Sequence, residues 1–286
     1  MNHKILRKEA LNPECHLIEL EAPHVADRFQ AGQFVIIRLH EKSERIPLTV
    51  AATDKEAGSI TLIFQVVGKT TMELSAWKQG DRLLNCVGPL GNPTEIENFG
   101  RVVCVGGGTG IACIYPVVKA LSRAGNRVIT IVGARTGSML ILEKELGEYS
   151  RSVRVATDDG SRGHKGFVTE VLEQVIKESG NFPDPGIDRV ITIGPPLMMK
   201  EAARVTKKEG IPTVASLNTI MVDGTGMCGC CRAYVDGQMK LTCIDGPEFD
   251  AHKINFDDVI SRLQMFQKKE KTALQDYRSR MGDIHD

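Results

Sequence analysis

The sequence predicts a small antiparallel β-barrel, then a doubly wound α/β domain with a parallel sheet, and finally a short cysteine-rich module and a helical tail. Three observations support this architecture. Short β-type segments alternate with glycine-containing turns in the first third of the chain, and strand-like and helix-like segments alternate from Arg101 onward. In addition, four of the eight cysteines lie between positions 228 and 243. We therefore divide the chain into residues 1–97, 98–215, 216–250 and 251–286.

The composition is typical of a globular protein with its own core, since 42% of the 286 residues are hydrophobic and 25% are charged. Lys and Arg together number 36, as do Asp and Glu, so no net charge favours binding to nucleic acid or to an anionic membrane. The N-terminal segment is charged where a signal peptide would be apolar, and no apolar run approaches the ~18 residues of a membrane span. We therefore expect a cytoplasmic protein without nucleic-acid or membrane partners.

The barrel is predicted from segments rich in β-branched and aliphatic residues, separated by glycines. The predicted strands cover residues 16–20, 34–39, 46–53 and 59–67. Five or six strands in fewer than a hundred residues suit a small closed sheet.

The α/β domain is predicted from the alternation of apolar strands with helical segments, which indicates right-handed βαβ units. The predicted strands are residues 102–105, 128–132, 153–156 and 190–193, and the predicted helices are residues 111–121, 140–150, 167–177 and 197–209.

The tail from Asn255 has the periodicity of one amphipathic helix, with acidic residues in its first turn. Its apolar face consists of Val259, Leu263, Phe266, Leu274, Tyr277 and Met281. A helix of ~30 residues reaches up to ~45 Å, which is long enough to extend onto another subunit. The alternative is that the tail packs back onto its own barrel.

The sharpest motif is an aspartate followed by clustered cysteines, with the spacing D-x4-C-x2-C and a further cysteine twelve residues later. Plant-type [2Fe–2S] sites use C-x4-C-x2-C with a distant fourth cysteine, because a tight loop must wrap the cluster. Three glycines in the loop supply the backbone freedom for this. The predicted ligands are Asp223, Cys228, Cys231 and Cys243, and Cys230 falls between two ligand positions.

Two other interpretations of these cysteines stay open. A zinc site made of Cys228, Cys230, Cys231 and Cys243 is conceivable, although structural zinc prefers paired cysteines on two knuckles and Cys243 has no companion. An inert or disulfide role is the other. The four remaining cysteines lie in apolar settings, where we expect small buried hydrophobic side chains. They are Cys15, Cys86, Cys104 and Cys113.

A glycine-rich turn between the first strand and helix of the α/β domain predicts a nucleotide site, because it places bare backbone N–H groups and a helix N-terminus where a pyrophosphate can bind. The turn consists of Gly106, Gly107, Gly108, Thr109 and Gly110. Where the second strand ends, the acidic residue that usually binds the adenosine ribose is replaced by Arg135, which favours the 2′-phosphate of NADP. The loop of Asp158, Asp159 and Gly160 could line the same pocket. Arg135 could equally be a surface charge.

Two motifs in the barrel half could bind an anionic or flavin-ring ligand. The first starts a strand and contains Arg45, Pro47, Leu48 and Thr49. The second contains Gly68, Lys69 and Thr70, whose backbone and hydroxyl donors could contact a diphosphate. Taken alone, the first is also typical of an ordinary strand start and the second of an ordinary turn.

In combination, these motifs and a Gly194-Pro195-Pro196-Leu197-Met198 segment after a late strand resemble the ferredoxin–NADP reductase superfamily. With the C-terminal cluster motif, the whole chain is similar to the electron-transfer subunits of dihydroorotate dehydrogenase. It resembles more closely the small subunits of NADH-dependent reduced ferredoxin:NADP oxidoreductases, also known as sulfide dehydrogenase beta subunits. The dihydroorotate-linked subunits have four cysteine ligands, whereas the bifurcating small subunits are similar to this chain in having an aspartate at the position of Asp223.

The resemblance implies a ferredoxin reductase-like fold with an FAD-binding barrel, an NAD(P)-binding α/β domain and a C-terminal [2Fe–2S] module. It assigns FAD contacts to the two barrel motifs, and nucleotide contacts to the glycine-rich turn, Arg135 and the loop of residues 158–160. It places Gly194 and Pro195 near the nicotinamide. NAD(H) is implied rather than NADP(H), against the argument from Arg135.

The implied function is electron transfer between NAD(H), FAD and the cluster, in an electron-bifurcating complex. The larger partner subunit would carry flavin and iron–sulfur centres and bind NADPH and ferredoxin. We expect no catalytic acid or base, since the cofactors perform the difficult chemistry. The alternatives are the electron-transfer subunit of dihydroorotate dehydrogenase, a self-sufficient oxygenase reductase, and a zinc-stabilised nucleotide-binding regulator without turnover.

Overall fold

The computed structural model describes residues 3–179 and 186–282, whose strands form two seven-stranded sheets and one two-stranded sheet. The barrel half contains strands β1 (His3–Ala10), β2 (Cys15–Glu21), β3 (Phe34–Arg38), β4 (Arg45–Asp54), β5 (Ser59–Gln65), β6 (Arg82–Leu83) and β7 (Asn85–Leu90), with helices α1 (Pro23–Arg28) and α2 (Lys69–Ala76).

The first sheet is antiparallel and has the order β6-β1-β2-β5-β4-β3-β7. Its two edge strands, β6 and β7, are joined by the single residue Leu84, so the sheet nearly closes into a barrel. Alternating side chains of β2 and β5 point into the core, where Ile18, Leu20, Ile60 and Leu62 are fully buried.

The α/β half begins with strand β8 (Arg101–Gly107), all of whose residues are buried, as expected for the centre of a parallel sheet covered on both faces. The other elements are α3 (Gly110–Arg123), β9 (Arg127–Ala134), α4 (Glu143–Gly147), β10 (Ser152–Thr157), β11 (His164–Lys165), α5 (Val168–Ser179), β12 (Arg189–Ile193), α6 (Pro196–Lys208) and β13 (Thr213–Ser216). The predicted strand–helix alternation is present, but the predicted helix 140–150 is reduced to α4 after a 3-10 turn at Gly137–Met139.

The C-terminal region adds strands β14 (Arg232–Val235), β15 (Gln238–Leu241) and β16 (Glu248–Asp250), a 3-10 turn at Ala251–Lys253, and helices α7 (Phe256–Leu263) and α8 (Gln267–Gly282). The sheet order is β11-β10-β9-β8-β12-β13-β16. Strand β16 therefore pairs with the α/β sheet although it follows the cysteine loop, and β14 and β15 form a separate hairpin.

The tail differs from the single helix predicted, because α7 and α8 are separated by a turn at residues 264–266. Val259 and Leu263 of α7 pack against α6, whereas α8 lies on α2 of the barrel half and half-buries Leu274 and Tyr277 there. One straight helix could not reach both surfaces. The tail thus packs on its own chain, as in the alternative interpretation, although Phe266 stays exposed. The side chain of Met281 lies outside the described residues.

No helix among residues 3–179 and 186–282 is long and apolar enough to cross a membrane.

Candidate functional site

The glycine-rich turn lies where strand order reverses between β8, β9 and β12, which is the topological switch point at which open α/β sheets bind ligands. Gly108 has a left-handed backbone (φ +56°), and its N–H donates to the carbonyl of Gly133 at 2.9 Å. A Cβ at Gly110 would collide with the carbonyl oxygen of Ile193. Glycine is therefore required for α3 to begin directly against β12, with its N-terminus at the switch point.

A cavity of about 480 Å³ opens in front of this turn. Its walls include Gly107, Gly108 and Thr109 of the turn, Arg135 and Asp158 of the neighbouring strand ends, Pro195, Leu197 and Met198 of the late turn, and Cys15 and Gln65 of the barrel half. The cavity therefore lies between the two halves of the chain, and it has the size and the backbone donors that a dinucleotide needs.

Two exposed apolar side chains at this cavity were not predicted as site residues. Phe167 and Leu197 are each 63% exposed and both line the cavity. Large exposed apolar residues beside a polar cleft are typical of surfaces that contact a planar ring. The sequence placed both residues at helix starts, and their exposure was not visible from helical periodicity.

Arg135 does not extend freely into the cavity. Its Nη2 donates to both carboxylate oxygens of Glu14, at 2.8 and 2.9 Å, and Glu14 also accepts a hydrogen bond from the Nε2 of Gln65 at 2.7 Å. Arg135 belongs to the α/β half, whereas Glu14 and Gln65 belong to the barrel half. This ion pair thus joins the two halves beside the cavity.

The loop of residues 158–160 follows β10 and is held by local hydrogen bonds. The carboxylate of Asp159 accepts from the N–H and hydroxyl of Ser161, at 2.9 and 2.6 Å, and these bonds lower the pKa of Asp159. Gly160 adopts a left-handed conformation, with φ at +77°. Asp158 lines the cavity, so the loop supplies one carboxylate to the site while Asp159 stabilises the turn.

The first barrel motif occupies the start of β4, where Pro47, Leu48 and Thr49 pair with Ile36, Val35 and Phe34 of β3. Strand β4 contacts α3, and Thr49 lies close to Cys113 of that helix. Burial raises the pKa of Cys113, and the neighbouring Thr49 opposes the increase. The strand therefore packs directly against the helix whose N-terminus forms the nucleotide turn.

The second barrel motif begins helix α2 and is not an isolated turn. The hydroxyl of Thr71 accepts from the backbone N–H groups of Val67 and Gly68, at 3.1 and 3.0 Å, and Thr70 donates to Glu44 at 3.1 Å. A Cβ added at Gly68 would meet no atom within 4 Å. An open helix N-terminus with hydroxyl groups close by fits a phosphate group, so these residues are compatible with the diphosphate of FAD.

The cysteine loop packs closely against the barrel. Gly224, Gly226 and Gly229 have φ values of +80°, +86° and +65°. A Cβ at Gly224 would lie 2.7 Å from Leu90 of β7 and 2.9 Å from Ile36 of β3. The glycines predicted to give the loop its freedom therefore also permit this contact, and the strand that carries Ile36 pairs with the first barrel motif.

The four predicted ligands differ in environment. Cys231 and Cys243 are buried with their sulfur atoms 3.2 Å apart, whereas Cys228 is exposed. Burial and the neighbouring Cys231 raise the pKa of the Cys243 thiol to about 12. By contrast, the backbone N–H of Cys230 lowers the pKa of Cys228.

The carboxylate of Asp223 accepts from the N–H of Thr225 at 3.0 Å and the N–H of Met227 at 3.3 Å. Hydrogen bonds from Thr225 lower the pKa of Asp223, and the charge of Arg45 adds a smaller decrease. Two soft thiols in contact and a nearby ionised carboxylate are a donor set that suits iron. In the described parts of the chain, no three His, Cys, Asp or Glu side chains stand close enough together to hold a metal ion as they are.

The cysteines outside the loop behave as buried structural residues. Cys15 and Cys104 are buried and Cys86 and Cys113 half-buried, and all eight cysteines are free thiols. Burial raises the pKa of Cys86 to about 12 and that of Cys104 further, so these thiols are unreactive.

Two family models match the chain at the sites just described. Residues 218–255 match the iron-sulfur cluster binding domain of dihydroorotate dehydrogenase B, and residues 104–204 match an oxidoreductase NAD-binding domain. The first match covers the cysteine loop and the second covers the glycine-rich turn. These matches support iron over the zinc interpretation.

Similar proteins cover nearly the whole chain. A Thermotoga maritima homologue of the dihydroorotate dehydrogenase B (NAD(+)) electron transfer subunit is 45% identical over 281 residues, which are 98% of this chain and 97% of the relative. A probable electron transfer subunit from Methanocaldococcus jannaschii is 35% identical, over 80% of this chain and 82% of the relative.

A chain from the solved structure of an NADH-dependent reduced ferredoxin-NADP oxidoreductase, described in connection with flavin-based electron bifurcation, superposes with a TM-score of 0.89. It is 45% identical and covers 97% of this chain and 98% of that one. A Neisseria gonorrhoeae ferredoxin NADP+ reductase with bound FAD and NADP is 20% identical with a TM-score of 0.60, which indicates the shared fold. The predicted ferredoxin reductase-like fold is confirmed. The chain therefore belongs to the family of dihydroorotate dehydrogenase B electron-transfer subunits and their homologues, which are oxidoreductase subunits with an NAD-binding domain and an iron–sulfur domain.

Proposed function

We propose that this chain is the electron-transfer subunit of an electron-bifurcating, NADH-dependent ferredoxin:NADP oxidoreductase. One observation carries the proposal: the three predicted sites adjoin each other. The cysteine loop packs on β3, β3 pairs with the first barrel motif on β4, and β4 contacts helix α3, which begins at the nucleotide turn. Cofactors held by these elements would form a short path from nicotinamide to cluster.

The barrel half would hold FAD. Arg45, Pro47, Leu48 and Thr49 on β4 would contact the flavin, and Gly68, Lys69 and Thr70 at the start of α2 would bind its diphosphate. When bound, FAD exchanges a hydride equivalent with the nicotinamide at N5 and single electrons with the cluster. The residues of this chain would position the two rings, and the contact of β4 with α3 would set the flavin site against the nucleotide site.

The α/β half would hold NAD(H), with its pyrophosphate at Gly106–Gly110 and its nicotinamide near Gly194 and Pro195. A Cβ at Gly194 would lie 3.1 Å from the backbone nitrogen and oxygen of Gly107, so these two loops meet at the switch point. Arg135 is engaged by Glu14, which supports NAD(H) over NADP(H).

Asp223, Cys228, Cys231 and Cys243 would ligate a [2Fe–2S] cluster. Cys231 and Cys243 already form one pair of soft donors, and Cys228 and Asp223 of the glycine-rich loop would supply the other two ligands. Backbone N–H groups of the loop would donate to sulfur and help to set the potential.

The partner would be a larger subunit with flavin and iron–sulfur centres, and it would bind NADPH and ferredoxin. The 45% identity to the chain of the NADH-dependent ferredoxin-NADP oxidoreductase supports this choice, whereas the dihydroorotate dehydrogenase subunits from Streptococcus mutans and Clostridium perfringens are 31% and 30% identical. The second candidate is a dihydroorotate-linked subunit, which the names of these two relatives and of the 45% identical Thermotoga maritima homologue favour. The division into residues 1–97, 98–215, 216–250 and 251–286 likewise stays a proposal.

The test is anaerobic purification of the cofactor-loaded chain, first alone and then with its partner. Flavin, iron and sulfide per chain and stopped-flow reduction with each nucleotide are measured on the chain alone, because the partner itself carries flavin and binds NADPH. The electron donors of the complex are compared afterwards. We expect flavin and [2Fe–2S] absorbance, and much faster flavin bleaching by NADH than by NADPH. Equal or reversed rates would exclude the NAD(H) assignment. A colourless protein containing zinc would indicate the nucleotide-binding regulator, and reduction by dihydroorotate in place of reduced ferredoxin and NADPH would favour the second candidate.

A further inference from the structure

Glu14 lies in the turn between β1 and β2, where hydrogen bonds with three side chains hold it in place. Its backbone N–H donates to the Oδ1 of Asn12 at 2.9 Å, and its Oε2 accepts from Gln65 at 2.7 Å. Both carboxylate oxygens accept from Arg135, at 2.8 and 2.9 Å. Gln65 and Arg135 both line the nucleotide cavity. A negative charge of the barrel half is therefore held at the rim of a site built on the α/β half.

This arrangement changes what Arg135 can bind. An arginine at the end of the second strand is the residue that accommodates the 2′-phosphate of NADP, but it must offer free guanidinium donors to do so. Here Nη2 of the guanidinium donates to both carboxylate oxygens of Glu14. A 2′-phosphate would have to share the guanidinium with Glu14 and lie near its negative charge, and two further carboxylates, Asp158 and Glu201, line the same cavity.

The 2′-hydroxyl of NAD(H) carries no charge, so these carboxylates do not repel it. We propose that Glu14 is a specificity-determining residue, which neutralises Arg135 and so selects against the 2′-phosphate of NADP(H). The inference rests on the proposed use of NAD(H) at this site. It assigns the selection to a residue of the barrel half, outside the nucleotide-binding domain.

The test is Glu14→Gln, which keeps the size of the side chain and removes its charge, in the cofactor-loaded protein. The control is Glu9→Gln, which removes the same charge from an exposed ion pair with Arg7 elsewhere on the barrel half. The readout is kcat/KM of flavin reduction for NADH and for NADPH, at low and high salt. We expect Glu14→Gln to raise the NADPH/NADH ratio about three- to tenfold at low salt, and less at high salt, because the affected charges are partly exposed.

The double variant Glu14→Gln/Arg135→Met should lose this gain, since the released guanidinium is its source. Arg135→Met alone should lower the ratio, because the carboxylate of Glu14 then loses its counter-charge and repels the 2′-phosphate. An unchanged ratio in Glu14→Gln, an equal change for both nucleotides, or a similar effect of Glu9→Gln would overturn the inference. A wild-type preference for NADPH would refute the proposed function instead, because the inference concerns how the ratio changes between variants.

Discussion

The nucleotide turn and the cysteine loop are both glycine-rich, yet they are built differently. The turn is set into a finished sheet, with Gly110 against the backbone of Ile193 and Gly133 accepting a hydrogen bond from Gly108. The cysteine loop lies on the barrel surface, with Cys228 exposed, and no three of its possible ligands stand close enough together to hold a metal ion among the described residues. The comparison indicates that the fold preforms the nucleotide site, whereas a bound cluster has to complete the metal site.

The largest expected effect follows from this difference in packing. Gly110→Ala would place a Cβ against the carbonyl oxygen of Ile193, and the backbone must move to relieve the clash. We therefore expect the free energy of unfolding to fall by about 3 kcal/mol or more. In the cysteine loop, the added Cβ of Gly229→Ala would meet no atom within 4 Å. Only the left-handed φ of +65° would then reduce the free energy of unfolding, by about 1 kcal/mol. Thermal midpoints of the apo proteins measure both. Similar losses for the two variants would mean that the turn is no more rigidly packed than the loop.

A second prediction tests whether Asp223 completes the metal site. Asp223→Cys should retain a [2Fe–2S] cluster with altered EPR g-values, since it restores the four-thiolate spacing. Asp223→Ala should reduce iron and sulfide per chain severalfold, because one iron loses a protein ligand. Cys230→Ser is the matched control and should leave cluster content and absorbance nearly unchanged.

The thiol of Cys230 lies close to that of Cys228, and the backbone N–H and the thiol of Cys230 both lower the pKa of Cys228. The cluster content of the variants therefore decides between Asp223 and Cys230 as the ligand. Loss of the cluster in Cys230→Ser with retention in Asp223→Ala would make Cys230 the ligand. It would also show that the analogy with plant-type spacing fails in this loop.

The features of the fold that can be predicted from the sequence are those that leave a local pattern of residues. The nucleotide turn was predictable because a bare backbone at a helix start leaves a local glycine signature. The β14–β15 hairpin was not predicted, although Asp236-Gly237 is a local hairpin signal in the sequence, and these residues have φ values of +54° and +73°. The start of α2 at Lys69 was not predicted either, because the hydrogen bonds to the hydroxyl of Thr71 that begin the helix leave no clear sequence pattern.

Other features depend on contacts that are distant in sequence and leave no local pattern. Arg135 and Glu14 are separated by 121 positions in the sequence. The ion pair between them therefore could not be foreseen when Arg135 was interpreted as a residue that binds the 2′-phosphate of NADP. The break in the tail at residues 264–266 contains neither proline nor glycine. It is set by where α7 and α8 pack, on α6 and on α2.

The smallest expected effect concerns Glu248, at the junction of the two regions. Glu248 lies on β16, which follows the cysteine loop and completes the α/β sheet, and it accepts a hydrogen bond from the hydroxyl of Thr94 at 2.6 Å. Burial raises the pKa of this carboxyl, while the bond from Thr94 and the charge of Arg189 oppose the increase. The folded protein therefore binds a proton that the unfolded chain releases once the pH exceeds the ordinary pKa of glutamate.

Because the folded-state pKa of Glu248 is raised, stability is lost as the pH rises from the unfolded pKa through the folded one, and the loss then stays constant. Glu248→Gln keeps an acceptor for Thr94 and cannot ionise, so its melting temperature relative to wild type should increase between about pH 4.5 and neutrality. Glu95→Gln is the matched control, since Glu95 is exposed and pairs with the same Arg189. Melting curves at several pH values compare the two variants. A constant difference between Glu248→Gln and wild type across this range would show that the pKa of Glu248 is not raised in the folded protein, and that Arg189 and Thr94 together offset its burial.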